Sequence, residues 1–409
     1  MPKKTPRHQP RISRQERVRQ LRTRIIGVGA LLAVLIISLV GLRIISSGRR
    51  TSSVKKEKTV SSESAQAETQ LTEESADSDT AQEDTAGSDT DTPSPVASYD
   101  KDEPTTITVS VIGDCILGTD EYFDYDSSLT NYYYMYGADY FFQNVRDIFE
   151  ADDLTIANME GTLTESEERE DKTFAFKGSA EMAQILTSGG VETCNTANNH
   201  SHDYGEQSYL DTLDALEAVG LTHFGYDDVI TMDVKGVKVG LTGIYELDDH
   251  LEREAQLRAN MQKLKDEKSD LIIVIFHWGN ELEEAPDSNQ TTLGRLAVDL
   301  GADLVCGHHP HILQGIETYK GKKIVYSLGN FCFGGNTHPT EFDTAIYQQT
   351  FTITRQGVEP NLITNIIPCC VSSNWDYNDY IPTPQEGYER DRIMEKIDER
   401  SSYIEPATV

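Results

Sequence analysis

The sequence predicts an α/β fold, with one mixed domain over residues 105–370 placed behind a single membrane helix and an acidic tether. Three observations carry that expectation. Short runs rich in Val and Ile alternate with stretches whose apolar residues recur at helical spacing. Polar residues able to bind metal crowd just after those runs, where open α/β sheets place their ligands. Composition also changes sharply before residue 105, so the two ends of the 409-residue chain cannot share one core.

The first segment, residues 1–24, is basic, with Lys3, Lys4, Arg7, Arg11, Arg14, Arg17, Arg19, Arg22 and Arg24. An uncharged run from Ile25 to Leu42 follows. At the rise of an α-helix it spans roughly 27 Å, close to the hydrocarbon thickness of a bilayer. Residues 25–45 are therefore expected to form a transmembrane anchor. A cleaved signal peptide would need a small-residue site, and Gly41-Leu42-Arg43-Ile44-Ile45 offers a poor one. The basic flank keeps the N-terminus cytoplasmic and sends the rest outside the cell, an asymmetry that Arg49, Arg50, Lys55, Lys56 and Lys58 weaken without reversing.

Residues 46–104 form the tether. From Thr59 to Asp100 there is no Lys or Arg, while Asp and Glu recur among Ser, Thr and Ala. Such a segment has too little apolar surface to offset chain entropy and is expected to be disordered. The net charge of −32 argues against nucleic acid as a partner, because phosphate binding needs clustered Lys and Arg. The six cysteines form no CxxC pair, so buried single thiols are expected rather than a zinc ribbon or a disulfide framework.

Within the domain, Thr106–Gly113, Leu154–Asn158, Leu271–Phe276 and Ala302–Gly307 read as buried strands. Phe141, Phe142, Val145, Ile148 and Phe149 recur at helical spacing, as do Leu210, Leu213, Leu216 and Val219 before Gly220, so both stripes are expected to face the core. The stretches 234–245 and 315–331 read as hairpin strands around Lys-Gly turns, and 347–367 adds two strands. The remainder, residues 371–409, is a C-terminal extension with a helical candidate at 389–399.

Asp114 follows the first strand, Asn158 and Glu160 the second, and His277 and Glu281 the run at 271–276. His308, His309 and His311 follow the last, and Asn198, Asn199 and His200 stand in "CNTANNHSHDYGEQS". One Asp or Asn at a strand end more often closes a turn, and one His is more often a hydrogen-bonded core residue. Together, carboxylate, amide oxygen and imidazole make a donor set that suits Mn, Fe or Zn, and two ions about 3.5 to 4 Å apart would need a bridging carboxylate.

The ordered run of Gly113-Asp114, "ANMEG", "ANNHSHDYG", "HWGNE", "GHHPHILQGIE" and "YSLGNF", within residues 107–335, resembles the CapA family of poly-γ-glutamate capsule synthesis proteins. That family is similar to the calcineurin-like metallophosphoesterases. The resemblance implies a sandwich of mixed β-sheets flanked by helices, and one or two divalent metal ions. It implies Glu160, Asn199, His277 and His309 around one metal, and Asp114, Glu160 and His311 around the other. His200 would be catalytic, protonating a leaving group. Asp203 and Gly205 would shape the turn behind it, and Asn158 and His308 would support the ligands. Ile116 stands where the phosphoesterase pattern has a His, and Glu160 where it has an Asp, which implies a weaker or empty second site.

Lys177 and Glu281 are candidates for substrate contact. The implied function is that of a membrane-anchored hydrolase or transferase acting on a cell-envelope substrate, with a capsule or poly-γ-glutamate synthesis complex as partner. The alternative is a non-catalytic accessory protein that binds or exports an anionic polymer.

Overall fold

Strand parity sorts the buried residues into a core between two sheets and a core on the outer face of each. A computed structural model describes residues 103–360 and 363–407. The expected basic segment 1–24, the anchor 25–45 and nearly all of the tether 46–104 lie outside the described residues. Among the described residues no helix is long and apolar enough to cross a membrane.

In chain order the strands are β1 (Thr105–Ile116), β2 (Thr119–Asp120), β3 (Leu154–Met159), β4 (Thr162–Leu163), β5 (Phe176–Gly178), β6 (Thr193–Asn195), β7 (Thr222–Phe224), β8 (Val229–Val234) and β9 (Val237–Tyr245). They continue as β10 (Leu271–His277), β11 (Leu304–His308), β12 (Ile316–Tyr319), β13 (Lys322–Val325), β14 (Asn330–Phe333), β15 (Asp343–Thr354), β16 (Gly357–Val358), β17 (Ile363–Cys370) and β18 (Thr383–Pro384). One sheet runs β18-β17-β15-β1-β3-β6-β7, with β14 on β1 and β16 on β15. The second runs β12-β13-β11-β10-β9-β8, and β2-β5-β4 form a small third. Both large sheets are mixed, since β1 pairs parallel with β3 but antiparallel with β15, and β10 parallel with β11 while β8 and β9 are antiparallel.

Side chains two apart on a strand share a face. Val109, Val111, Leu154 and Ile156 of the first sheet meet Leu241, Ile273, Ile275, Leu304 and Cys306 of the second in one buried cluster. The opposite face of the first sheet packs Ala157, Met159 and Cys194 with Ile185, Leu186 and Leu216 from helices Gln184–Gly189 and Gly205–Ala218. Val274, Phe276 and Val305 on the outer face of the second pack on Leu257, Met261 and Leu293 of helices Glu254–Asp266 and Ser288–Asp299. Mixed sheets flanked by helices are thus observed, as expected. Each fully buried Leu, Ile or Phe contributes roughly 1.5–3 kcal/mol.

Both Lys-Gly turns are found. Lys235 and Gly236, and Lys320 and Gly321, all have positive φ, as two-residue hairpin turns require. Two helical expectations are corrected. The stripe from Phe141 to Phe149 does not make one helix: only Arg146–Phe149 is helical, after a 3-10 turn at Ala138–Tyr140, and Val145 between them has φ −124°. Those aromatic residues are nevertheless buried. In the helix Gly205–Ala218, Leu210 is 45% exposed. Leu216 is buried and Val219 packs against the core as expected, while Ser208, Thr212 and Ala215 complete the buried face, the Thr212 hydroxyl accepting from the Leu163 amide at 2.9 Å.

The candidate at 389–399 lies within a longer helix, Gly387–Ser401, whose Ile393 and Ile397 join the core between the sheets. All six cysteines are buried and unpaired, as expected.

Candidate metal centre

The same parity that sorts the cores delivers the site. Asn158 continues the inward set of Leu154 and Ile156, His277 that of Ile273 and Ile275, and His308 that of Leu304 and Cys306. All three therefore emerge between the sheets at the ends of their strands. Asp114 is placed by a close approach: a side chain at Gly113 would put its Cβ 2.2 Å from the Gly329 carbonyl oxygen, to which the Asp114 amide donates at 2.9 Å. His309 and His311 take φ of +96° and +57°, a rarely populated backbone that costs on the order of 1–3 kcal/mol each and bends "GHHPH" into the cleft.

Glu160 sits at the centre with 0% exposure. Its Oε1 lies 3.8 Å from Nε2 of His277, 3.8 Å from Nε2 of His311 and 3.9 Å from Nε2 of His200. Among the described residues neither of its oxygens has a hydrogen-bond partner, and Nδ1 of His309 has none. A buried carboxylate left this way costs several kcal/mol unless a cation compensates it. Burial, and then the neighbouring Asp114, push its pKa well above the usual carboxylate range.

Donor atoms of Glu160, His277 and His309 lie within 4.8 Å of one another, as do those of Asp114, Glu160 and His311, and those of Glu281, His309 and His311. The first two groups share Glu160, and the third joins His309 to His311 across them. Asn199 joins the first, its Oδ1 accepting from Nε2 of His277 at 2.7 Å. In the second, Nδ1 of His311 lies 3.3 Å from Oδ2 of Asp114, leaving Nε2 turned toward Glu160. The first two groups contain residues that the resemblance assigns to the two metals. Burial first, and then the other imidazoles, hold His277 and His309 neutral, the latter at about 3, so neither ring carries a charge that would oppose a cation. His311 differs: burial alone would lower it, but Glu160 and Asp114 raise it to about 9.

Around the donors runs a network of amides. Asn158 Nδ2 donates to Asp114 Oδ1 at 2.8 Å and lies 3.4 Å from His277 Nδ1, while its own Oδ1 accepts from Asn195 Nδ2 at 2.8 Å. His308 does not enter the cleft; its Nε2 donates to the Ile112 carbonyl at 2.9 Å and ties the two sheets together. Asn158 therefore touches two of the candidate ligands, Asp114 and His277, whereas His308 touches the Ile112 backbone.

His200 lies beside the donors. Its Nδ1 donates to Asp203 Oδ2 at 2.7 Å, so Nε2 faces the cleft. Asp203 is more than a turn residue, because its other oxygen accepts from Lys172 at 2.6 Å and Oδ2 also accepts from the Phe176 amide at 2.6 Å. Burial lowers the His200 pKa against the opposing pull of Asp203.

Of the two candidates for substrate contact, Glu281 lines the cleft with His200, His311 and Ile116. Lys177 does not: its ammonium donates to the Ser166 carbonyl at 2.8 Å and lies 4.6 Å from the centre of the Tyr204 ring, which corrects that expectation. Sequence reasoning missed Asn330 and Lys172. Asn330 Oδ1 accepts from His311 Nδ1 at 2.9 Å, and its signal was its place in "YSLGNF". Lys172 stands in an acidic, irregular stretch with no periodicity to mark it.

Residues 108–335 match the family described as bacterial capsule synthesis protein PGA_cap. The PGA biosynthesis protein CapA of Bacillus subtilis (strain 168) is 30% identical over 279 residues, 63% of this chain and 70% of that one. The capsule biosynthesis protein CapA of Bacillus anthracis is 29% identical over 279 residues, 62% of this chain and 66% of that one. The 5'-nucleotidase of Candida albicans SC5314 aligns at 12% identity and a TM-score of 0.36, covering 72% of this chain and 57% of that one. The matched stretch spans more than half of the 409 residues and contains every candidate ligand from Asp114 to His311, and the chain belongs to the PGA_cap family of bacterial capsule synthesis proteins.

Proposed function

We propose that the chain works in capsule or poly-γ-glutamate synthesis as a metal-dependent hydrolase or transferase, anchored in the membrane by residues 25–45 with its domain outside the cell. The names of its two Bacillus relatives support the process. The observation that carries the chemistry is Glu160, fully buried, without a hydrogen-bond partner among the described residues, and facing three imidazoles at 3.8–3.9 Å.

Glu160, Asn199, His277 and His309 would hold one divalent ion, and Asp114, Glu160 and His311 a second; Mn, Fe and Zn all suit these donors. Such ions supply Lewis-acid polarisation of a phosphoryl or acyl oxygen. The protein's own contribution is the proton. Asp203 fixes the His200 imidazole through Nδ1 and leaves Nε2 as the atom that exchanges a proton with the reacting group. Lys172 holds Asp203 in turn, and its ammonium also donates to the Asn199 carbonyl at 2.8 Å, which couples the proton carrier to a ligand.

The test is His200→Ala in the metal-loaded protein. Turnover on phosphoesters or peptides should fall by a factor of about 10² to 10⁴ with metal content unchanged. A second reading, an accessory protein that binds or helps export an anionic envelope polymer without turnover, is favoured by Ile116, an apolar wall residue where the phosphoesterase pattern has a ligand. Normal capsule output from His200→Ala, with no turnover by wild type, would select that reading.

A further inference from the structure

The cleft over the centre is apolar in a way the ligands do not require. It has a cavity volume of about 240 Å³ and is walled by Ile116, Phe123, Phe174, Phe176, Leu282 and Phe333. The rings form a file: Phe123 and Phe174 lie 5.9 Å apart between centroids, Phe174 and Phe176 6.3 Å and nearly parallel, and Phe176 and His200 4.7 Å. Phe333 stands on the other side, 6.0 Å from His311. Phe174 is 47% exposed and Leu282 48% exposed, so the file starts at the surface and ends at the proton-carrying imidazole.

Charge points the same way. Among the described residues no Lys or Arg lines this cleft, and its one carboxylate besides the buried ligands is Glu281. The nearby cations are engaged elsewhere. Lys172 is paired with Asp203 at 2.6 Å, and Arg169 with Asp120 at 2.9 Å and Glu121 at 3.4 Å. A polyanion would bring several charges onto this surface with nothing to meet them beyond the metal ligands, and Glu281 would repel them. A glycan would need many hydrogen-bonding groups, whereas the outer wall offers chiefly Asn336 and Thr340.

We infer that this cleft takes a substrate whose reacting phosphoryl or acyl group is joined to an uncharged hydrocarbon or aryl body, the body lying along Phe174, Phe176 and Phe333. This rests on the hydrolase or transferase reading of the same centre and names its substrate class. The anionic polymer would then be neither the group held in the cleft nor its direct ligand.

Equilibrium calorimetry on the manganese-loaded protein tests it with probes that share a head group. Phenylphosphonate should bind about tenfold tighter than methylphosphonate, the gain expected from burying one ring face. Phe174→Ala and Leu282→Ala, both at exposed positions that leave the core intact, should each narrow that ratio to about threefold or less. Equal affinity of the two phosphonates in wild type would overturn the inference, as would a ratio unmoved by either variant. So would tighter binding of a poly-γ-glutamate oligomer or of a sugar phosphate than of phenylphosphonate. The ratio is read at equilibrium, so absence of turnover on every ester would remove the hydrolase reading and leave this comparison standing.

Discussion

His277 Nε2 lies 2.7 Å from Asn199 Oδ1, although 78 positions separate the two residues in the chain. One ends β10 of the second sheet and the other follows β6 of the first, so their contact closes the mouth between the sheets. The contact is a hydrogen bond, and under the proposed metal assignment both side chains would turn to the same ion.

Replacing His277 and His309 together by Ala should therefore strip the group that contains Asn199. Manganese affinity, measured by titration of the metal-free protein, should fall about a hundredfold or more, because no nearby donor can substitute for two lost imidazoles. Asp114→Ala should cost less, since it belongs to the other group.

Asn330 Oδ1 accepts from His311 Nδ1 and so orients that ring. Asn330→Ala should weaken metal binding by about 10- to 100-fold, the usual effect of removing a partner that holds a ligating His. Asn330→Asp, which still accepts from Nδ1, should restore most of it. Equal affinities for all three proteins would remove Asn330 from the centre.

Much of this is legible in the sequence, and the reason is periodicity. β10 is a continuous apolar run, β11 starts as one, β1 alternates Ile107, Val109 and Val111 with Thr and Ser, and the Lys-Gly turns fix their own hairpins, so strand ends and the donors after them could be placed. Three things had no local signature. The broken helix near Val145 keeps a helical stripe while its backbone turns away, because burial of Phe141, Phe142 and Phe149 does not depend on one continuous helix. Leu210 faces solvent because a threonine hydroxyl occupies the inward position of its helix. Lys172 reaches Asp203 through an irregular segment, where no spacing rule relates sequence to direction.

The C-terminal helix carries an acid-sensitive clamp. Arg392 donates to both oxygens of Asp343, each at 2.6 Å, and Lys396 pairs with the same carboxylate. Burial would raise the pKa of Asp343, but these cations outweigh it and hold the group below its ordinary value. The folded-state pKa being depressed, its stabilisation is complete above the unfolded value near 4 and is lost as pH falls through the folded value. The melting temperature of wild type should drop more steeply below about pH 4 than that of Asp343→Asn, which should be less stable at neutral pH. Parallel acid profiles would show that the clamp contributes nothing.

Arg400 joins the same helix to the histidine loop. It is 6% exposed, donates to the Leu313 carbonyl just after His311, and pairs with Glu284 at 2.9 Å and Glu341 at 3.1 Å. Arg400→Ala should cost roughly 1.5–3 kcal/mol in urea unfolding, because it removes the buried guanidinium that holds the Leu313 carbonyl, while Glu341 keeps Lys396 as a partner. It should also lower metal affinity by loosening the loop. Unchanged stability would mean that the loop is held by its own turn alone.

The most direct test of the metal assignment is the metal content of wild type and Glu160→Gln after dialysis against manganese, with the melting temperature of both metal-free proteins read alongside. Glutamine keeps the shape and removes the bridging charge. Wild type should retain stoichiometric metal and Glu160→Gln little or none, while the metal-free variant should melt no lower than metal-free wild type, since it no longer buries an uncompensated carboxylate. Equal metal content in the two proteins, or none in wild type, would contradict the metal centre.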